Sequence, residues 1–557
     1  MSVISEILEE LEKASPKDQD SFNRLKLRII RKHRGEKIPN NIEIANHASA
    51  SQRKRFRHIL SIKPTRTVSG VAPIAIMTKP FKCPHGSCLM CPSYTEKGVP
   101  QSYTGKEPAA MRAARNRFDP YLQIFNRLEQ YLVMNQCPDK VELIVMGGTF
   151  PSFPKKYKFD FIYYSFKALN DFSRLFFSNN KLNLKRFLDF FELPGDVGSW
   201  ERSEIIQKKI LKIKNNDKKT LQKEQKLNES SKIRCVGLTI ETRPDYATLK
   251  YANELLRFGC TRVELGIQSI YPEILKKIRR GHTIEQSIES TRTLKDLGFK
   301  INYHYMPGLF VSRKKDLEGL KELFREQKFR PDMLKIYPCM VVRGSKLYRL
   351  WKKGEFHPLT TKKAAELIAE FKTFVPEYCR IMRVQRDIPT YATEAGVDRT
   401  NLRQYIDELM KKKGLRCRCI RCREIGHKKI VVKDPEIVNR HYEASGGNEF
   451  FISYEDKKTD TILGFCRLRF PSQSLRKEIT CDSALVRELH VLGELAQVGK
   501  KGKTQHRGIG RLLLGEAEST AKTYNKEKMI IISGVGARAY YRKLGYRKEG
   551  PYMVKKL

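Results

Sequence analysis

Three cysteines in the segment KCPHGSCLMCPSY stand as C-x4-C-x2-C, at Cys83, Cys88 and Cys91. Three thiolates on one short loop can hold three irons of a 4Fe–4S cluster and leave the fourth iron open to a non-protein ligand. A zinc knuckle would need a fourth protein ligand, for which His85 is the neighbour. Position favours the cluster. The loop precedes a run of alternating strands and helices, and Gly147 and Gly148 end the apolar strand VELIVMGG just downstream. A glycine pair at a strand end lets backbone groups approach a ligand closely.

A second trio, in LRCRCIRCREIGH, gives C-x-C-x2-C at Cys417, Cys419 and Cys422. Such tight spacing suits Zn2+, which takes four ligands in a closed structural site. The fourth would be His427, Cys339, Cys379 or solvent. The interleaved Arg416, Arg418, Arg421 and Arg423 would face phosphates. The bland alternative is a basic loop with incidental thiols.

The third pattern is Q-x-x-G-x-G at Gln505, Gly508 and Gly510, in QHRGIGRLLLGEAE. A loop that opens a helix this way aims unpaired N–H groups at a pyrophosphate. It follows the strand ALVRELHVLG, as an acetyl-CoA-binding acetyltransferase motif requires. Candidate contacts are Glu488, Leu489, His490 and Val491 on the strand, and Gln505, His506, Arg507, Gly508, Ile509, Gly510 and Arg511 at the helix start. Farther on, ARAYYRKLGYRK places Tyr540 and Tyr541 where one could protonate a leaving thiolate. Either could instead be a core aromatic.

The elements that must position these groups are legible in outline. From residue 235 the strands CVGLTIET, RVELGIQS, KINYHYMPG and MLKIYP alternate with helices near Asp245–Arg257 and Thr283–Leu297, and another helix is expected around Ala109–Met134. Repeated β-then-α order predicts parallel strands with crossover helices, and functional residues at the strands' C-terminal ends. Residues 152–232 read as an insertion whose charged run, KKILKIKNNDKKTLQKEQKLNESSK, is a solvated helix or flexible loop. Residues 411–434 form the Cys-rich connector. Residues 435–557 read as an α+β module opening on a hairpin of NEFFISYED and TILGFCRLRF.

With 557 residues the chain exceeds one hydrophobic core. Its 108 Lys+Arg against 62 Asp+Glu, net +46, call for a polyanionic partner, nucleic acid first. The basic region 1–75 supplies the best RNA patch, the Lys and Arg of residues 22–66 together with Phe56. No run reaches the ~18 apolar residues of a membrane span, and the start lacks a signal-peptide core; the expectation is cytoplasm, with no membrane. The 13 cysteines of such a chain are not a disulfide framework, and most of those outside the two trios read as small core residues.

The stretches KCPHGSCLMCP, SYTGKEPAAMRAARNRFDPY, MGGTF, GLTIETRPDY, RVELGIQS, RRGHT, HYMPGL, LKIYP and RVQRDIP cover most of residues 60–390. Together they resemble the catalytic subunit of the Elongator complex in its archaeal stand-alone form. Met90 departs from the pattern, since radical S-adenosylmethionine (SAM) proteins often carry an aromatic there. The resemblance implies an α/β chain: a partial (β/α) radical SAM barrel over residues 76–410, then a GCN5-related acetyltransferase domain. It implies that Cys83, Cys88 and Cys91 bind the cluster and that SAM chelates the open iron. Gly147 and Gly148 would lie beside SAM's amino acid end, with Glu241 and Gln268 close by. Cys417, Cys419 and Cys422 would hold zinc between the domains, and Tyr540 and Tyr541 would lie near the thioester of acetyl-CoA. The implied reaction builds a carboxymethyl group on C5 of the wobble uridine of tRNA through a radical on the acetyl methyl. Partners would be tRNA, acetyl-CoA, and a second copy or Elongator-like subunits. The rival readings are a protein lysine acetyltransferase with a structural cluster and a non-catalytic tRNA-binding scaffold.

Overall fold

The computed structural model describes residues 2–33, 38–60, 69–195, 199–215, 219–428, 430–493 and 508–557. Short helices between Val3 and Leu60 gather Ile7, Leu11, Phe22, Ile29, Ile44 and Ile59 into a core of their own. Capping boxes at Asp18, Asn40 and Ser49 satisfy N–H groups that a first helical turn leaves unpaired. Several basic residues here are structural. Arg53 donates to Leu132 O at 2.6 Å, docking the unit on the barrel, and burial lowers its pKa to about 10. Lys32 and His33 both meet Glu6, at 3.3 and 2.6 Å. Phe56, expected in the RNA patch, is 2 % exposed and fills the helical core instead. Lys54, Arg55 and Arg57 remain at the surface, and residues 61–66 of the expected patch lie outside the described residues.

Strands β1 (Ala72–Met77), β2 (Lys140–Met146), β3 (Arg234–Thr242), β4 (Arg262–Gln268), β5 (Lys300–Tyr305), β6 (Met333–Ile336) and β7 (Arg380–Arg383) form one parallel sheet in chain order. β1 and β7 are not paired with each other, so the barrel is partial. Strand alternation places polar residues inside it. In β4, Val263, Leu265 and Ile267 join the hydrophobic core, whereas Arg262, Glu264, Gly266 and Gln268 line the interior.

Two local expectations are corrected. The single helix over Ala109–Met134 is two helices, Pro108–Arg115 and Pro120–Val133. Between them Arg117 and Phe118 take left-handed backbone, φ 55° and 54°, and the Asp119 side chain caps the second helix by accepting from Tyr121 and Leu122 N–H. The charged run ending near residue 232 is largely helical where it is described, as one of its two expected forms had it, but it is not solvated throughout. It contributes to helices Trp200–Lys214 and Leu221–Asn228, and Glu224 and Asn228 are buried. Asn170 of helix Lys155–Phe176 donates to Glu224 at 2.7 Å, and Cys235 N–H donates to Asn228 at 2.8 Å, which fastens the run to that helix and to β3. Of the scattered cysteines, Cys481 is exposed rather than a core residue.

The second sheet contains β8 (Glu436–Ala444), β9 (Gly447–Asp456), β10 (Thr461–Phe470), β11 (Ser483–Val491), β12 (Lys528–Ile531), β13 (Arg547–Glu549) and β14 (Tyr552–Lys556), in the order β8-β9-β10-β11-β12-β14-β13. Only β11 and β12 are parallel, and their ladder runs from Ser483 to Val486 alone. Arg467 opposes Glu488 and Leu468 opposes Val486, so Arg487 is the extra residue of a bulge. Beyond that bulge β11 leaves β12, and a cleft opens in the sheet.

The two sheets meet through buried charge. Arg487 donates to both Asp332 oxygens, at 2.8 and 2.6 Å, and to Glu449 at 2.8 Å. Arg469 joins Asp296 and Glu449, at 2.6 and 2.9 Å. Arg467 bonds to Glu488 at 2.9 Å. Burial opposes the ionised form of Asp332, but Arg487, Lys295 and Arg467 hold its carboxyl far below the usual range. Gly534 and Gly536, just after β12, touch β3 so closely that a Cβ would fall 2.0 Å from Val236 O and 2.5 Å from Arg234 Cβ.

Candidate active site

The loop after β1 carries the first cysteine trio. Gly86 N–H donates to Cys83 O and Cys91 N–H to Cys88 O, folding it into turns. Leu89 N–H donates to Ile278 O at 3.0 Å, and Leu89 O accepts from Leu347 N–H at 2.8 Å. The backbone, not the thiols, therefore anchors the loop to the barrel. Around the sulfurs stand Thr149 Oγ1 at 3.7 Å from Cys83, His85 Nε2 at 3.2 Å from Cys88, and Gln101 Nε2 at 2.9 Å from Cys91.

This arrangement fits a cluster better than one zinc ion. A tetrahedral zinc site spaces its sulfurs about 3.8 Å apart. The sulfurs of Cys417, Cys419 and Cys422 all lie within 4.8 Å of one another, whereas Cys83, Cys88 and Cys91 form no such set. At least one pair of these sulfurs is farther apart than that, a spacing that suits ligation of separate irons. His85 faces Cys88 and does not complete a four-ligand set.

Gly147 and Gly148 turn the chain at the end of β2 with φ of 114° and 112°, a conformation that side chains resist. A Cβ on Gly147 would lie 2.5 Å from Thr78 Oγ1. Glu241 is the penultimate residue of β3 and Gln268 ends β4, and both line the interior together with the cysteines. Gln268 has φ 66°, and its buried Oε1 has no protein partner. Between the cysteines and the second sheet lies a charged group that sequence reading missed. Glu264 accepts from His304 Nε2 at 2.7 Å and pairs with Lys335, which also stands 3.5 Å from Glu241. Burial disfavours the Glu264 carboxylate, yet Lys335, His304 and Arg262 hold its pKa well below the usual range. Glu241, Glu264 and His304 could gather a cation, but the Lys335 ammonium already supplies that charge. The available signal was the alternation Arg262, Glu264, Gly266, Gln268 within an apolar-looking strand.

At the other end, the helix Ile509–Thr523 begins at Gly508, which has φ 85° and no side-chain cap. Gly508, Ile509 and Gly510 line the cleft where β11 and β12 part, and the first N–H groups of a helix lack intrahelical partners. Gln505, His506 and Arg507 lie outside the described residues. Glu488 is held by Arg467, and His490 Nε2 lies 2.8 Å from Ser69 O, just before β1. Leu489 and Val491 line the same cleft with Gly508, Ile509, Gly510 and Arg511. Tyr541 is 7 % exposed and Tyr540 41 %. A Cβ at Gly510 would lie 3.0 Å from the Tyr540 hydroxyl.

The connector differs from expectation. Arg423 is 1 % exposed and donates to Asp460 and Glu455, each at 2.7 Å. Arg418 pairs with Glu377, and Arg416 reaches Asp460 at 3.2 Å. Arg423 thus joins the domains instead of presenting a phosphate surface, because Glu455 and Asp460 of the second module lie within reach, whereas Arg416 and Arg418 keep exposed side chains beside their carboxylate partners. His427 is turned to Glu424 at 2.8 Å, and neither Cys339 nor Cys379 joins the sulfur trio.

A cavity of about 850 Å³ runs from Cys83, Cys88 and Cys91 through the barrel interior to Glu488, Gly508 and Tyr541. A parallel partial barrel with a three-cysteine loop, joined to a sheet split beside a glycine-started helix, defines a radical SAM protein fused to an acetyltransferase. Family models agree: the Radical SAM superfamily matches residues 201–323, the Radical_SAM C-terminal domain 331–412, the Acetyltransferase (GNAT) family 423–546 and the ELP3 N-terminal domain 1–68. The "tRNA uridine(34) acetyltransferase" of Methanocaldococcus infernus is 44% identical over 100% of this chain and 98% of its own. Mouse "Elongator complex protein 3" is 39% identical over 100% of this chain and 97% of its own. The solved structure of the M. infernus Elp3 lacking its N-terminus matches with TM-score 0.72 and 41% identity, covering 88% of this chain and all of that one. The chain belongs to the Elongator complex protein 3 family.

Proposed function

We propose that this chain uses SAM and acetyl-CoA to build a carboxymethyl group on C5 of the wobble uridine of tRNA. The observation that carries the reading is the continuous cavity between the cysteine loop and the cleft of the second sheet. Two cofactors bound at its ends would share one base without movement of the domains. The bound cluster with SAM supplies the radical chemistry that the poor nucleophile C5 requires. The barrel holds SAM through Gly147, Gly148, Glu241 and Gln268, and excludes water around it. β11 and the Gly508–Gly510 turn hold acetyl-CoA. Zinc on Cys417, Cys419 and Cys422 would fix the connector. The net charge of +46 supplies the attraction for RNA. The names of the relatives support tRNA as substrate, and a cytoplasmic location follows from it. A second copy or Elongator-like subunits would be the protein partners.

Tyr541 is assigned as the acid for the leaving thiolate. It is the more buried of the two tyrosines and lines the same cavity as Gly508 and Gly510. Tyr541→Phe should slow acetyl-CoA hydrolysis about a hundredfold or more with CoA affinity nearly unchanged. A loss of affinity instead would make the ring a packing element, and a full effect of Tyr540→Phe alone would move the role to its neighbour.

The reading is tested by anaerobic incubation with tRNA, SAM, a reductant and acetyl-CoA bearing a deuterated methyl. Nucleoside mass spectrometry should find a carboxymethyl mass gain on uridine, and 5′-deoxyadenosine should carry deuterium only when tRNA is present. Unmodified uridine alongside acetylated lysine would replace the proposal with a protein acetyltransferase.

A further inference from the structure

We infer that Arg280 sets the ease with which the cluster is reduced, a proposal resting on the reading that Cys83, Cys88 and Cys91 hold that cluster. Arg280 follows helix Pro272–Lys277 and is fixed from behind. Its Nη2 and Nε donate to Gly266 O of β4, at 2.7 and 3.2 Å. A planar guanidinium with one edge committed in this way presents its remaining nitrogen in a set direction. That nitrogen, Nη1, stands 3.5 Å from Cys88 Sγ.

Two further observations single the residue out. Its neighbour Arg243 is neutralised by Asp245, at 2.9 and 2.7 Å. Arg280 has no carboxylate within ion-pair distance among the described residues, so the cysteine sulfurs are the anionic groups it faces. The approach is also built into the backbone: a Cβ on Gly266 would lie 2.5 Å from Arg280 Nη2. Only glycine at that point of β4 lets the guanidinium sit where it does.

One-electron reduction adds negative charge to a cluster. A fixed cation and N–H donors at a ligating sulfur stabilise the reduced form and so raise the potential. His85 Nε2, 3.2 Å from the same sulfur, acts in the same sense when it donates. Arginine is suited to the task because it keeps its charge at any working pH. Arg280 is thus a positioning residue for electron entry and need not touch substrate.

The test is a redox titration of reconstituted full-length protein, followed by electron paramagnetic resonance, with iron content and thermal melting recorded for each variant. Arg280→Gln should bind as much iron as the parent and shift the midpoint potential negative. Arg280→Lys, which keeps the charge but loses the fork, should fall between. Gly266→Ala keeps the arginine but displaces it, and should shift the potential in the same direction. Equal potentials in the parent and Arg280→Gln at full iron content would overturn the proposal. So would an unmoved potential with weakened SAM affinity, which would make Arg280 a contact for SAM's carboxylate. Absence of iron from the parent protein would bring down the cluster reading itself.

Discussion

Replacing Cys83, Cys88 or Cys91 with alanine should reduce SAM cleavage to background while acetyl-CoA still binds. Each sulfur is expected to ligate its own iron, so two remaining thiolates cannot hold the cluster in a form that presents an open iron. The fold should survive, because the loop is held by the backbone bonds of Leu89 to Ile278 and Leu347 and not by the thiols. The acetyltransferase half keeps its own hydrophobic cluster around Phe450, Leu513 and Tyr541. The measurements are iron content, the brown absorption band and 5′-deoxyadenosine yield of anaerobically reconstituted protein. A triple alanine variant that retained the iron band would remove the trio from the site.

Asp332→Ala should destabilise both halves together, by about 3–5 kcal/mol. Asp332 is 0 % exposed and accepts both terminal nitrogens of Arg487, which is itself buried. Removing the carboxylate leaves a guanidinium in the interior with Glu449 as its remaining anion, and burying an under-compensated charge costs more than the pair contributes. Arg487 is also the bulge residue from which Glu488–Val491 diverge. A loosened Arg487 should therefore weaken acetyl-CoA binding, although Asp332 belongs to the barrel. Asp332→Asn, which keeps the shape and one hydrogen-bonding oxygen, should recover part of the loss. Denaturant unfolding followed by probes in each domain would read this. A change below about 1 kcal/mol, or a transition confined to one domain, would show that the charge cluster does not join the halves.

The β-then-α order, the hairpin of the second module and the glycine-started helix were all legible in the sequence, because each rests on neighbours a few residues apart. Strand periodicity and turn chemistry act at that range, so the fold class followed from them. The same range accounts for the missteps. The break between Pro108–Arg115 and Pro120–Val133 lies in two left-handed residues within an otherwise helical pattern. Phe56 and Arg53 read as RNA-facing from composition, but a helical core and Leu132 O claim them.

What only the tertiary structure decided is where distant segments meet. The Arg423 side chain turned inward because Glu455 and Asp460 of the second sheet lie beside it. Lys335 and Glu264 neutralise each other because β4 and β6 both face the barrel interior, though they are far apart in sequence. The joining of the cysteine loop to the acetyl-CoA cleft depends on Asp332 meeting Arg487 and on Gly534 lying against Val236. No local pattern encodes these distances. Burial of apolar surface and compensation of buried charge act between whichever groups the folded chain brings together, whatever their separation in sequence.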